Sequence, residues 1–327
     1  MMGFATLVIG LLVALAAAGA LSTLWLTRRA ERKFPPTGGY VSVRGIRLHY
    51  LDLGPTALQP SLPSGGAALP IVLLHGAFSA LQDYSATILP ELAKSHRVLA
   101  FDRPGQGYSG RDATTMGTPQ GQADTIREAL AASGVSRAVM VGFSYGGAVA
   151  LAHAVRHPEA TAALILLAAP THPWPGPIDT EYFVPAWPVL GPFLLHTLVM
   201  PLGTMLTSRG TAAAFYPLPI APGFAASPVP LALRPGSYAA NAQDIRKLKP
   251  ALREMSADYG TLRLPITIVH GMQDHTVGLK THSDKLKTQV PAVDLIPIPG
   301  AGHQLLYTHP AVVLDAIERT LAKVKGS

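Results

Sequence analysis

The sequence predicts an α/β domain on a mostly parallel, doubly wound sheet, interrupted by an inserted cap and preceded by one transmembrane helix. Three observations carry this. An uncharged apolar run opens the chain, short apolar runs then alternate with helical patterns, and the alternation stops over a long proline-rich stretch. The 327 residues are 48% hydrophobic and 14% charged, which suits a large buried core and argues against disorder. With no cysteine, disulfide frameworks, thiolate nucleophiles, zinc-thiolate sites and iron-sulfur clusters are excluded. The formal net charge is +7, but Arg28, Arg29, Arg32 and Lys33 against Glu31 supply +3 of it. No basic stripe interleaved with aromatics follows, so nucleic acid is not an expected partner.

From Met1 to Thr27 there is no charged side chain. As a helix, the 24 positions from Gly3 to Leu26 would span about 36 Å, more than the hydrocarbon core of a bilayer. Residues 1–27 therefore read as a transmembrane helix, with Trp25 at the membrane-water boundary. A cleaved signal is the competing reading, favoured by the small residues Ala16 to Ala20 and opposed by the missing basic n-region. Residues 28–39 join a basic cluster to Pro35, Pro36, Gly38 and Gly39, a linker composition. The positive-inside rule puts that cluster and the domain behind it on the cytoplasmic side, as a single-pass protein of the bacterial inner membrane if the source is prokaryotic.

From Tyr40 the pattern is that of short strands. Val41 and Val43, the turn Arg44-Gly45, then Ile46, Leu48, Tyr50 and Leu51 predict a hairpin with period-two alternation. A Pro/Ser/Gly-rich loop follows at 60–66. The run Pro70 to Leu74 lacks polar alternation, as does a strand buried on both faces of a parallel sheet. Further runs are Arg97 to Phe101, Arg137 to Val141, Ala162 to Leu167, Leu264 to Val269 and Val293 to Ile298, with helical patterns at Gln120 to Ala132 and Gly146 to Arg156. Core segments at 40–169 and 264–327 thus flank an insertion at 170–263. Residues 170–235 hold fourteen prolines and four charged side chains, so this part is expected to be apolar, irregular and poor in long elements.

Gly142-Phe143-Ser144-Tyr145-Gly146 follows a buried strand and opens a helix. A Gly-x-Ser-x-Gly match alone is weak, but a strand-to-helix turn that lifts the Ser144 hydroxyl clear needs glycine on both sides, where a Cβ would strike the neighbouring strand or helix.

Four pieces in fixed order carry a resemblance. They are Leu74-His75-Gly76-Ala77-Phe78, the segment Asp102-Arg103-Pro104-Gly105-Gln106-Gly107-Tyr108-Ser109-Gly110, the turn at Ser144, and the two C-terminal loops. Together the chain from Tyr40 onward resembles the α/β-hydrolase fold superfamily, in its single-cap esterase, epoxide-hydrolase and haloperoxidase-like branch. The resemblance implies a nucleophile at Ser144, an acid at Asp274 in His270-Gly271-Met272-Gln273-Asp274, and a base at His303 in Gly300-Ala301-Gly302-His303. It places an oxyanion hole at the N–H groups of Ala77 and Tyr145, with Phe78 lining the same mouth. Members that open epoxides or remove halide carry Asp at the nucleophile position, so Ser144 argues for an acyl-enzyme instead.

His75 and the Asp102 to Gly110 turn read as structural, His153 as a packing residue. The remaining histidines His270, His275, His282 and His309 make no ligand spacing, so no metal and no cofactor are expected. The cap aromatics, Trp174 and Trp187 among them, suit an apolar acyl or alcohol group. The expected function is hydrolysis of a small lipophilic carboxylic ester by a membrane-anchored serine hydrolase. Perhydrolase, amidase, C–C hydrolase or acyltransferase chemistry on the same residues is the alternative, and a non-catalytic binding protein of this fold a more distant one.

Overall fold

The computed structural model describes residues 2–55 and 69–325, so the loop at 60–66 lies outside the described residues. Among the described residues eight strands form one sheet: β1 (Gly39–Val43), β2 (Ile46–Leu53), β3 (Ile71–Leu74), β4 (Val98–Phe101), β5 (Ala138–Phe143), β6 (Thr161–Leu167), β7 (Ile266–Gly271) and β8 (Asp294–Ile298). Their spatial order is β1-β2-β4-β3-β5-β6-β7-β8. The hairpin β1-β2 is antiparallel and turns at Arg44 and Gly45, both at positive φ, which matches the right-handed strand twist. From β4 to β8 all pairings are parallel.

The apolar runs became the strands because both faces are covered. Every residue of β3, β4, β5 and β6 is buried. The helix Pro119–Ala132 starts at a Thr118 cap, whose side chain accepts the Gly121 N–H at 3.2 Å. It stops at Gly134, φ +72°, where the Val135 N–H returns to the Leu130 carbonyl at 2.8 Å. Strand order reverses between β3 and β5, which brings the loops after these strands side by side at one end of the sheet. That crevice is where open α/β sheets place their chemistry.

Three expectations change. The stretch 170–235 is not poor in long elements: Leu190–Leu194, a π-helical turn Leu195–Val199 and Met200–Phe215 follow one another as a nearly continuous helix. Pro201 is tolerated because it falls in the first turn after the π-helical segment, where the missing N–H costs little. The second change concerns residues 28–39. The first helix runs Met2–Lys33, so the basic cluster forms its last turns and residues 34–38 join it to β1.

The helix Pro235–Met255 is also more core than cap. Its Leu248, Leu252 and Met255 belong to the same buried cluster as Val72, Met140 and Leu164. Among the described residues two helical stretches, Gly3–Lys33 and Leu190–Phe215, are long and apolar enough to cross a membrane by length and composition.

Candidate active site

Ser144 sits at the turn between β5 and the helix Tyr145–Arg156 with φ 50° and ψ −124°, a conformation that costs a non-glycine residue on the order of 1–3 kcal/mol. Its flanking glycines make the turn possible. A Cβ on Gly142 would lie 2.3 Å from the Gly146 carbonyl oxygen, and one on Gly146 would lie 2.0 Å from that of Leu74. The Ser144 N–H donates to the Leu167 carbonyl at 2.8 Å, which ties the turn to β6.

The three residues singled out as nucleophile, base and acid meet. Ser144 Oγ is 3.0 Å from His303 Nε2, and His303 Nδ1 is 2.7 Å from Asp274 Oδ2. Asp274 Oδ1 accepts the N–H groups of Thr276 and Val277, both at 2.8 Å, and His270 Nε2 stands 3.4 Å from Oδ2. Burial alone would raise the Asp274 pKa. The charge of His303 and the hydrogen bonds from His270, His303 and the Val277 N–H outweigh it, leaving the carboxyl well below the usual range. An ionised Asp274 accepting from Nδ1 leaves Nε2 free to accept the Ser144 proton.

The loop after β3 lies against this group. A Cβ on Gly76 would come within 3.1 Å of the Ser144 Cβ. Among the described residues the Ala77 and Tyr145 N–H groups meet no acceptor, whereas Phe78, at φ 51°, donates its N–H to Asn241 Oδ1 at 2.9 Å. His75 Nε2 accepts the Arg103 N–H at 3.0 Å, so its Nδ1 carries the proton and donates to the Gly76 carbonyl at 2.8 Å. Burial, helped by the Arg103 charge, pushes His75 down to about 3 and keeps it neutral.

Arg103 is fully buried and organises this loop. Its guanidinium donates to the carbonyls of His75 (2.8 Å) and Gly76 (3.0 Å), to Gln122 Oε1 (2.9 Å) and to Asp244 Oδ2 (2.9 Å). It lies over the Tyr145 ring at 4.4 Å. Asp244 and Asn241 come from the helix Pro235–Met255, and sequence reading passed over both because nothing local marks them. Asp102 takes the Leu81 and Tyr108 N–H groups at 2.8 Å each and pairs with His49 Nδ1 at 2.7 Å. Gly107, whose Cβ would strike that carboxylate at 2.1 Å, must be glycine.

The cap closes on the His303 side. A Cβ on Gly302 would lie 2.0 Å from the Tyr216 carbonyl oxygen. Buried Asp83 accepts hydroxyls from Ser79, from Ser227 of the cap (3.0 Å) and from Tyr307 (2.6 Å), linking the cap to the segment after His303. Burial raises the Asp83 pKa against the pull of these three donors. Phe78 packs with Tyr182 (6.2 Å) and Tyr238 (5.7 Å) at the cap boundary. The two tryptophans stand differently. Trp174 packs against His282 at 6.5 Å and under Lys249 Nζ at 5.6 Å, and Trp187 is 47% exposed; among the described residues neither ring meets that of His303.

Comparison with known proteins adds to this geometry. The chain is 34% identical over 140 residues to the 2-hydroxymuconate semialdehyde hydrolase of Pseudomonas sp. (strain CF600), covering 42% of this chain and 45% of that protein. The chain thus spans less than half of that relative. It is 27% identical over 274 residues to the pimeloyl-[acyl-carrier protein] methyl ester esterase of Xanthomonas campestris pv. campestris (strain B100), covering 77% of this chain and 94% of that one. A solved bacterial membrane phospholipase A, 19% identical, has the same fold over 100% of both chains with a TM-score of 0.64. The profile of the Alpha/beta hydrolase family matches residues 71–316, and the chain belongs to that family.

Proposed function

We propose that the protein is a serine hydrolase that cleaves a lipophilic carboxylic ester through an acyl-enzyme, anchored to a membrane by residues 1–27. The observation that carries this reading is the hydrogen-bonded chain Ser144–His303–Asp274, at 3.0 and 2.7 Å. His303 Nε2 takes the Ser144 proton as Oγ attacks the carbonyl carbon. The N–H groups of Ala77 and Tyr145 receive the developing oxyanion. His303 then returns the proton to the leaving alkoxide, and a water activated by the same nitrogen releases the acid and restores Ser144.

The lipophilic substrate is supported by the cap. A cavity of about 160 Å³ in it is lined by Val184, Pro185, Gly191, Leu194, Leu195, Val199 and Tyr238, with Glu181 as the one charged side chain on its wall. Each methylene removed from water contributes about 0.8 kcal/mol, so kcat/KM should rise up to about fourfold per carbon until the space is full. The similarity to a pimeloyl-[acyl-carrier protein] methyl ester esterase supports ester chemistry. The 34% identity to a semialdehyde hydrolase gives C–C cleavage as the second reading.

The test is fluorophosphonate labelling of the full-length protein with a p-nitrophenyl ester series from acetate upward, run beside 2-hydroxymuconate semialdehyde. Labelling at Ser144 with medium-chain esters turned over faster than acetate is expected. Turnover of the semialdehyde alone selects the second reading, and no labelling at Ser144 removes both.

A further inference from the structure

From Tyr182 to Leu233 the only charged side chain is Arg209. A cap surrounded by water would place charges on its outer face. Instead Leu190, Phe193, Leu198, Leu202, Met205 and Leu206 stand exposed along Leu190–Phe215, Met205 at 77%. The stretch does not cross a membrane, because its other face is held. Leu195, Met200 and Phe215 are buried, and the Ala214 carbonyl accepts the His303 N–H.

The first helix fixes where this apolar face lies. Gly19 approaches the stretch so closely that a Cβ would sit 2.5 Å from the Thr197 carbonyl oxygen. Thr27 Oγ1 donates to Met200 Sδ at 3.2 Å, and Ala30 and Phe34 pack with Met200, Leu231 and Leu233. These contacts begin inside the uncharged run and not beyond it. Gly19 precedes Arg28, the first charge, by nine residues, about 13 Å along a helix axis. A membrane-water boundary set by Arg28, Arg29, Arg32 and Lys33 therefore puts Thr197 and its neighbours at the depth of the acyl chains. Trp25, half exposed with the Arg29 guanidinium 5.3 Å from its ring, marks the same boundary.

We propose that the outer face of Leu190–Phe215, with Leu190, Phe193, Leu198 and Leu202, is immersed in the lipid bilayer beside the first helix. Cap and anchor then form one continuous lipid-facing surface, and the cap that covers Ser144 opens on lipid. This rests on residues 1–27 being an anchor and is independent of which bond the enzyme cleaves.

The chain has no cysteine, so single cysteines report position without background. Full-length Phe193→Cys, Leu198→Cys and Leu202→Cys proteins are labelled with an environment-sensitive fluorophore in phosphatidylcholine–phosphatidylglycerol vesicles, with and without nitroxide on the acyl chains. Leu12→Cys reports the first helix and Lys94→Cys, beside the far end of β4, reports water. Emission should fall about twofold in nitroxide lipid at the three cap positions and at position 12, and stay unchanged at position 94. Quenching at position 12 without quenching in the cap overturns the proposal and leaves the anchor standing. Absence of quenching at position 12 refutes the anchor and the proposal together. Self-quenching between labelled cap positions in place of lipid quenching assigns the stripe to a second copy of the chain, and overturns it as well.

Discussion

The backbone N–H of His303 donates to the carbonyl of Ala214 at 3.0 Å, so the loop carrying the proposed base is held by the C-terminal end of a cap helix. The ring position relative to Ser144 therefore depends on a segment 89 positions upstream in sequence. Gly302, pressed on the Tyr216 carbonyl, is the point where this can be tested. Gly302→Ala should push the loop off the cap and lower kcat by about a hundredfold, since misplacement by about 1 Å is enough for such a loss. Steady-state kinetics with thermal unfolding decide it; a normal kcat would show that the loop has slack.

If the proposed hydrolase reading holds, Ser144→Ala and His303→Ala should each reduce ester hydrolysis by about 10³-fold or more and to a similar extent, because the proposed nucleophile and base would act as a unit. Asp274→Asn should be somewhat milder. Full activity in Asp274→Asn would mean that another carboxylate serves His303.

Arg103 predicts a different signature. Arg103→Lys keeps a charge beside Asp244 but cannot reach the His75 carbonyl, the Gly76 carbonyl and Asp244 together. We expect kcat to drop about tenfold or more with KM little changed, as for a group that shapes the proposed oxyanion loop without touching substrate. Arg103→Met should instead destabilise the fold by about 1–3 kcal/mol, because it leaves the His75 and Gly76 carbonyls and Asp244 Oδ2 without their donor, while Arg111 still pairs with Asp244 Oδ1 at 2.8 Å. A KM effect in the lysine variant would contradict this assignment.

Three histidines set the acid limit. Burial pushes His75, His153 and His282 down to about 3. Each folds neutral, so its contribution is intact above the unfolded value of about 6.5 and is lost as pH falls toward 3, at about 1.4 kcal/mol per pH unit for each group. Stability measured by denaturant should therefore decline steeply below pH 6. His153→Gln should flatten that slope by about one proton, and an unchanged slope would show that His153 titrates normally in the fold.

Removing the first helix is not neutral. A chain starting at Arg32 loses Thr27, Ala30 and Glu31, exposing Met200 and Leu231 and leaving Arg234 without the Glu31 carboxylate 2.9 Å away. Its Tm should fall by roughly 5 °C or more against a chain starting at Gly19. Equal melting of the two would mean that the helix packs on the cap only nominally.

Much of this architecture is legible in the sequence because parallel strands buried on both faces leave uninterrupted apolar runs, as at Ile71–Leu74 and Thr161–Leu167. Ser144 is marked by its Gly-x-Ser-x-Gly turn at a strand end, whereas Asp274 and His303 come from the resemblance to α/β-hydrolases; the structure brings the three within hydrogen-bond reach. Prolines concealed the helix through Met200–Phe215, since a proline in a first turn looks the same in sequence as one that breaks a helix. Asp244 could not be found: its partner Arg103 is 141 residues away, and only the packing of a long helix on the core joins them. Trp174 and Trp187 show that aromatic content says nothing about which way a ring faces.

The helix Pro235–Met255 has a consequence for modularity. Thr171 is fastened to the core by His282 and Tyr259, and Arg234 by the Gly107 carbonyl and Glu31, so the ends of the insertion are fixed before and after the apolar segment. The transplantable unit is thus 172–233, from one relative of this fold to another. A graft carried to residue 263 would bring foreign residues to the posts of Asn241 and Asp244, which hold Phe78 and Arg103 beside Ser144. A graft within 172–233 would exchange the roof, provided the donor segment offers a carbonyl where Ala214 now meets His303, a hydroxyl for Asp83 in place of Ser227, and apolar partners for the first helix in place of Met200, Leu231 and Leu233.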